Sequence, residues 1–302
     1  MTNRCWMIVS FLGLPTVAKA MALANKEVSV TQLIQSHRDE IAQLQKITES
    51  MGISLDQAPY SNPVFFLRYC LSEEGLLEDQ FRNTLSWRTG PGKSICEAAV
   101  SAVTQATANG KWDNAPVIAA APYSSHIIPF LSPATITTTS SQGDLVYCIR
   151  AGKIDDTKLM GQVTVDQMSE FFLYTKEVNN LVANDRSLAT DQLLCVLAAN
   201  DLSGVQLVGG SSEFRQALSQ SSKQATEVYP DSTVGPTLLL NLPTLLAALV
   251  KLFTPLFPDA VKKRIKFRRG PLKDITDLSA LARDSPERAV FWQQLDELVY
   301  NG

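Results

Sequence analysis

Hydrophobic positions in the first third of the chain recur at helical spacing. Apolar side chains every three or four residues predict an amphipathic helix over residues 30–47, and a second helical region covers residues 65–88. The glycines and proline at 90–92 end that region, and a third helical stretch follows over residues 97–108. His37 lies on the apolar side of the first helix. We therefore expect a packed or hydrogen-bonded histidine there and not a ligand.

Short apolar runs alternate with helical patterns in the second half of the chain. Such alternation predicts an α/β layer with a largely parallel sheet, and Asp166 is expected to cap one of its helices. Residues 109–143 are poor in charge and predict a connector that packs on the surface. The predicted strands are Leu145–Ile149, Leu193–Ala199, Thr237–Leu240 and Ile265–Phe267, and the predicted helices cover residues 166–182, 213–228, 244–253 and 285–299.

Composition narrows the class of protein. A length of 302 residues suggests roughly two structural units, and 45% apolar with 19% charged residues is typical of a globular chain. Because the net charge is −3, electrostatic attraction to nucleic acid would have to come from a local basic patch. The five cysteines form no CxxC pair and there are only two histidines. A disulfide framework, a structural zinc site and a multi-histidine metal centre are therefore not expected.

Two apolar segments have the length or form of membrane or targeting sequences. Residues 237–257 could span a bilayer by length, but Asn241, Lys251 and two prolines interrupt them, which favours a buried strand followed by an apolar helix. Residues 1–20 place Arg4 before an apolar stretch that ends in an A-x-A sequence. This segment is either a targeting peptide or an apolar first helix packed on the body of the protein.

Catalytic motifs fail on inspection. The sequence GPGKS at 90–94 lacks the earlier glycine of a phosphate-binding loop, since Trp87 stands in its place. The sequence GGSSE at 209–213 resembles a nucleophile elbow without its last glycine, and no histidine follows His126. The paired carboxylates of Asp155 and Asp156 lie in a turn without a nearby base. We therefore expect a protein that is not an enzyme.

Four segments, in the right order, resemble the CRAL-TRIO lipid-binding family. This family includes the phosphatidylinositol/phosphatidylcholine transfer proteins and the carriers of retinaldehyde and α-tocopherol. FLRYCLSEEGLLEDQFRNTLSWR (66–88) is similar to the family's N-terminal helical module, and GDLVYCIRAGKID (143–155) to its first core strand. LLCVLAANDLSGVQL (193–207) is similar to the central strand with its D-L-x-G turn. Residues 229–267 resemble the most diagnostic stretch: Y-P-E, a strand ending N-x-P, an apolar helix, a second proline and K-I-x-F.

The resemblance implies an α/β fold with an N-terminal helical module and a CRAL-TRIO domain. That domain has a largely parallel sheet as its floor, flanking helices and an apolar gate helix at residues 244–253. The implied units are residues 1–20 as a targeting segment or apolar helix, 21–115 as the module and 116–302 as the lipid-binding domain. A buried acyl chain gains about 0.8 kcal/mol per methylene, so an apolar helix over a sheet can hold a lipid without catalysis. The gate and cavity residues are Leu245, Leu246, Leu249, Leu252 and Phe253.

The same resemblance assigns headgroup positions, several of them altered here. The family's glutamate after Y-P becomes Asp231, and its lysine beyond the gate becomes Arg264. The basic positions after Arg68 become Cys70 and Leu71, and the threonine becomes Val261. The positions whose hydroxyls hold phosphatidylcholine fall near Val196 and Ala198, which have none. Lipid binding is expected, and these altered positions give no support for phosphoinositide specificity.

A basic stretch follows the gate. Between Asp259 and Lys273 seven basic residues stand against the single acid Asp259. This stretch is either a solvated face or a contact with anionic lipid through Lys262, Lys263 and Lys266, and no nucleic-acid motif accompanies it.

The sequence thus predicts a monomeric carrier that binds a hydrophobic lipid in an internal cavity and transfers or presents it at membranes. No cofactor besides the bound lipid is expected. The alternative is a membrane-recruited scaffold that keeps the fold without lipid exchange. The expected location is the cytoplasm and the membrane periphery, or an organelle or the secretory route if residues 1–20 direct the chain there.

Overall fold

A computed structural model describes residues 28–71, 75–205, 210–243, 265–268, 270–273 and 275–300. Eleven α-helices and five strands lie in these ranges. The predicted gate helix and the basic residues Lys262, Lys263 and Arg264 lie outside the described residues, as does the segment 1–20. Among the described helices, none is both long and apolar enough to cross a membrane.

The N-terminal helices follow the predicted apolar faces but break where the pattern gave no signal. The helix predicted over residues 30–47 consists of two helices, α1 (Val30–Ser36) and α2 (Arg38–Ser50), which meet at His37. The His37 ring pairs with the Glu40 carboxylate one turn later, which confirms a hydrogen-bonded histidine. Residues 65–88 likewise divide into α3 (Pro63–Cys70) and α4 (Glu78–Thr89), and α5 (Lys93–Thr107) follows.

The prediction of a surface connector at 109–143 is wrong. This stretch contains helices α6 (Ala115–Ala120) and α7 (Ser124–Leu131) and the strand β1 (Thr135–Thr139). Ile127, Leu131 and Ala134 are buried within it. Low charge does not distinguish a connector from these elements, although the β-branched threonines of β1 suit a half-covered strand.

The sheet has five strands in the order β1-β2-β3-β4-β5. Strand β1 is antiparallel to β2, and all other neighbours are parallel, which confirms the predicted α/β class with a largely parallel sheet. Aligned residues form rows across the sheet, such as Tyr147, Ala198 and Thr237. The remaining strands are β2 (Leu145–Arg150), β3 (Val196–Asp201), β4 (Val234–Leu240) and β5 (Ile265–Arg268).

Helices α8 (Asp156–Met160), α9 (Val165–Thr190) and α10 (Ser212–Val228) follow strands β2 and β3. Asp166 does not cap α9. The Thr164 hydroxyl accepts from the Gln167 backbone N–H, and the Gln167 side chain accepts from the Thr164 N–H, a reciprocal capping box. Asp166 lies one residue inside the helix, where its carboxylate accepts a hydrogen bond from Gln220 on α10.

The two faces of the sheet have different covers. Helix α11 (Pro286–Val299) begins at the predicted Ser285–Pro286 pair, and Phe291 and Leu295 from it pack against Val146 and Leu197 of the sheet. On the other side, α9 and α10 share a core with α5, α6 and α7. The N-terminal helices pack against α9, and a partly open space remains between α9, α10 and the sheet.

Candidate functional site

A cavity of about 260 Å³ lies between the sheet and helices α9 and α10. Its floor is formed by β2, β3 and β4, and Leu131 at the end of α7 closes one side. The floor and the apolar wall contain aliphatic and aromatic side chains from these elements. They are Leu131, Tyr147, Ile149, Ile154, Phe172, Val196, Ala198, Phe214, Leu218 and Val234.

Strand alternation explains which residues reach the cavity. Side chains along a strand point alternately to the two faces, so Tyr147 and Ile149 line the cavity while Val146 and Cys148 join the core under α11. In β3, Ala198 and Asn200 line it, and Ala199 between them joins the core under α11. The small side chain of Ala198 leaves room in the middle of the floor.

The opposite wall is polar. Helix α9 contributes four polar side chains to the cavity lining: Thr175, Lys176, Asn179 and Asn180. Ser221, Ser222 and Thr226 of α10 lie across from them. The Thr175 and Thr226 hydroxyls donate to carbonyls of their own helices. The wall therefore presents hydroxyl oxygens, amides and one cation to a largely apolar space.

That cation is Lys176. Its ammonium donates to the Ser221 carbonyl at 3.5 Å, the limit of a hydrogen bond. Desolvation lowers the pKa of Lys176 from 10.5 to about 8, and no carboxylate raises it again. Because this pKa is still above 7, Lys176 is mainly charged at neutral pH and faces the cavity without an ion-pair partner among the described residues.

The residues that line the cavity lie within a segment of the chain that matches a known protein family. Residues 131–279, which include the whole sheet with α9 and α10, match the model of the CRAL/TRIO domain. Residues 131–279 are a CRAL-TRIO domain. CRAL-TRIO proteins are in general lipid-binding or lipid-transfer proteins and not enzymes.

One solved structure similar to this chain is described as the crystal structure of Sfh5. It is 13% identical, with a TM-score of 0.38, and the match covers 70% of this chain and 82% of that chain. A search of curated protein sequences gave no significant match.

Asp231, the predicted headgroup position, lies on the wall of the cavity in the CRAL-TRIO domain. It begins the short turn Asp231–Thr233 that leads into β4, and Thr233 and Val234 line the cavity beside it. The structure thus brings Asp231 and Lys176 into one cavity, from different elements. Its predicted companion Arg264 lies outside the described residues, as do the gate residues Leu245, Leu246, Leu249, Leu252 and Phe253.

The predicted positions without hydroxyls, Val196 and Ala198, both line the cavity floor. Hydroxyls are nevertheless close by, because Ala198 is aligned with Tyr147 on one side and Thr237 on the other. All three side chains line the cavity. The CRAL-TRIO floor of this chain therefore offers hydroxyl groups from the neighbouring strands and none from β3 itself at these positions.

Lys266 is separated from the cavity. It is aligned with Leu238 across β4 and β5, and Leu238 is buried in the core under α11. Aligned residues of neighbouring strands share a face of the sheet, so Lys266 lies on the face opposite the cavity. This placement agrees with a role outside lipid enclosure, and membrane contact by Lys262, Lys263 and Lys266 stays a prediction.

Sequence reasoning missed Lys176 and the polar wall. A signal was present: Phe172, Lys176 and Asn179 are spaced by four and three residues, so they form one stripe along α9. The sequence did not assign the stripe, because helical spacing alone does not tell what covers a polar side chain. Only the packing of α10 against α9 encloses these side chains.

Proposed function

We propose that this chain binds a hydrophobic lipid in the cavity between its sheet and helices α9 and α10, and transfers or presents that lipid at membranes. The observation that carries the proposal is the cavity itself, which has an apolar floor within the CRAL-TRIO domain. Each buried methylene contributes about 0.8 kcal/mol, so about ten methylenes stabilise the complex by roughly 8 kcal/mol before ordering costs.

Ala198 provides the sharpest test, because its side chain lies in the middle of the floor and is partly exposed to the cavity. Ala198→Phe fills part of the space without adding charge. Ala108→Phe is the matched control, because Ala108 is exposed at the end of α5, away from the cavity. Each protein is purified without detergent and extracted with organic solvent, and the lipid is identified and quantified by mass spectrometry.

The original protein and the Ala108→Phe variant should carry lipid in near-stoichiometric amount. Ala198→Phe should carry about tenfold less while keeping its circular dichroism spectrum, since an added ring competes with the ligand for volume. Transfer of the identified lipid between two vesicle populations should fall in parallel. A folded original protein that carries no lipid and transfers none would contradict the proposal and favour the scaffold alternative.

A further inference from the structure

Lys176 is a cation in a cavity that otherwise suits an acyl chain. It lies on α9 between Phe172 and Asn179, and all three residues line the cavity. The side chain is partly buried, and its one hydrogen bond to described residues is the marginal contact with the Ser221 carbonyl. A charge that has lost water without gaining a partner destabilises the empty protein.

The other charged and titratable groups of the cavity do not neutralise Lys176. Among the described residues, the lining contains one carboxylate, that of Asp231, and the phenols of Tyr147 and Tyr229. Asp231 forms no ion pair with Lys176 and contributes nothing to its pKa. Desolvation raises the pKa of Tyr147 to about 12 and that of Tyr229 well above 10, so neither phenol supplies a negative charge near neutral pH.

Neutral hydrogen-bond donors accompany the cation. The Asn179 amide lies one helical turn from Lys176, lines the same cavity and makes no side-chain hydrogen bond to the described residues. An ammonium with a nearby amide donor suits an anionic oxygen, since charge-assisted hydrogen bonds are the stronger ones. The ester oxygens of a neutral lipid accept hydrogen bonds from both groups, but such a lipid brings no negative charge to balance the ammonium.

We propose that the cavity selects an acyl lipid with an acidic group, a carboxylate or a phosphate, which binds Lys176 with help from Asn179. The inference rests on the proposed function, because it names the chemistry of the ligand that the cavity takes. It also gives the polar wall a role: the apolar floor holds the chain and the wall of α9 holds the anion.

The test compares lipids that differ only in charge. Myristic acid against methyl myristate tests a carboxylate, and phosphatidic acid against diacylglycerol tests a phosphate. Inorganic phosphate alone serves as an anion without acyl chains. Competition with a fluorescent neutral acyl probe gives the affinities of the original protein, Lys176→Met, Lys176→Arg and the control Lys46→Met, whose lysine is exposed on α2.

The original protein should prefer at least one acidic lipid over its neutral counterpart by about tenfold or more. Lys176→Met should abolish that preference without weakening the neutral lipid, and Lys176→Arg and Lys46→Met should keep it. The preferred acid identifies the group. Equal affinity for acid and neutral lipid, or a preference that survives in Lys176→Met, would overturn the inference but leave lipid binding in place.

Two further measurements keep the test decisive. In the original protein, the preference for myristic acid should decline as pH rises from 7 to 9, because Lys176 loses its proton in that range, while methyl myristate binding stays constant. Displacement of an acidic lipid by millimolar inorganic phosphate would assign Lys176 to a free anion and overturn the inference. Failure of every lipid to bind would refute the proposed function and the inference with it.

Discussion

Arg68 and Ser232 exchange two hydrogen bonds: the Arg68 Nη1 donates to the Ser232 carbonyl at 2.7 Å, and the Ser232 hydroxyl donates to the Arg68 carbonyl at 2.8 Å. Arg68 is fully buried and also donates to Asn184 and to the Leu194 carbonyl. Helix α3 is thereby joined to α9, to the start of β3 and to the turn that contains Asp231. The guanidinium holds elements together and lies outside the cavity lining.

The first prediction concerns that contact. Arg68→Met should lower the free energy of unfolding by about 2–4 kcal/mol, because buried carbonyl groups lose their donors. Arg82→Met is the control: Arg82 forms an exposed ion pair with Glu78, and its loss should cost less than about 1 kcal/mol. Urea denaturation measures both. Equal effects would show that the buried contacts contribute little, and the folded Arg68→Met protein should keep its lipid.

The second prediction concerns the buried ion pair between Arg88 of α4 and Glu177 of α9. The Arg88 Nη1 lies 2.7 Å from Glu177 Oε1, with both side chains at most 4% exposed. Desolvation lowers the pKa of Arg88, but the combined attraction of its neighbours, with Glu177 the strongest, outweighs it and raises that pKa well above its ordinary value.

Removing one partner of this pair should cost about 3–5 kcal/mol, because the other charge stays buried alone. The double variant Arg88→Met/Glu177→Met should be more stable than the sum of the single losses implies, by about 1–3 kcal/mol. A double-mutant cycle in urea measures this coupling. The exposed pair Lys93 and Glu97 is the control and should show almost none. Additive losses at the buried pair would be evidence against the expected coupling.

The third prediction follows from the depressed pKa of Lys176. Without ligand, Lys176→Met should be more stable than the original protein at pH 7, because it removes a desolvated charge. As pH rises from about 8 towards 10.5, the unfolded chain binds a proton at this site that the folded chain has lost. In that pH range the original protein should therefore become more stable relative to the variant. Thermal unfolding at several pH values measures this change. A stability difference independent of pH would exclude the assigned shift.

The fourth prediction compares the two residues that sequence and structure assign to the start of α9. Thr164→Ala should cost about 1 kcal/mol of stability, because the helix loses the hydroxyl of its capping box. Asp166→Asn keeps an oxygen for Gln220 and should cost less than about 0.5 kcal/mol. Thermal unfolding of both variants decides between them, and a larger loss for Asp166→Asn would restore the sequence expectation.

The fifth prediction tests the basic stretch. Neutralising Lys262, Lys263 and Lys266 to glutamine should weaken binding to anionic vesicles and reduce its salt dependence, since each basic residue near the surface adds roughly 1 kcal/mol. Cosedimentation at low and physiological salt measures both. Replacing Lys46, Lys93 and Lys158, which are exposed in other parts of the fold, controls for net charge. Unaltered vesicle binding at low salt would make the stretch a solvated face. The lipid content of the triple variant should stay the same.

Much of the fold was predictable because it depends on local pattern. Strands β2 to β5 coincide with apolar runs, and the Ser285–Pro286 start of α11 follows from capping chemistry alone. Strand β1 was not predicted because its sequence TITTT has one apolar residue. Its partner strand β2 also lies farther along the chain than the three or four residues that a helical pattern compares. The break at His37 was missed because the apolar spacing continues across it, so only the backbone reveals the two helices.

The candidate site was predictable only in part. Asp231 was assigned by resemblance and lies on the cavity wall. Lys176 was not assigned, because a lysine among polar helical residues has the same pattern whether water or a second helix covers it. Whether water or a helix covers the lysine depends on the packing of α10, whose Ser221 follows Lys176 by 45 positions in the chain. Long-range packing of this kind leaves no mark in the local spacing.

Lys176 and Glu177 are neighbours in sequence but point about 100° apart around α9, as successive helical residues must. Glu177 forms an ion pair with Arg88 of α4, and Lys176 faces the cavity. The ion pair therefore contributes, with the buried side chains of α9, to the rotation of this helix about its own axis. A turn of the helix by a single residue would replace the cation in the cavity by a carboxylate and reverse the charge that a ligand meets. Helix α4 thus helps to orient the wall of a cavity that it does not line itself.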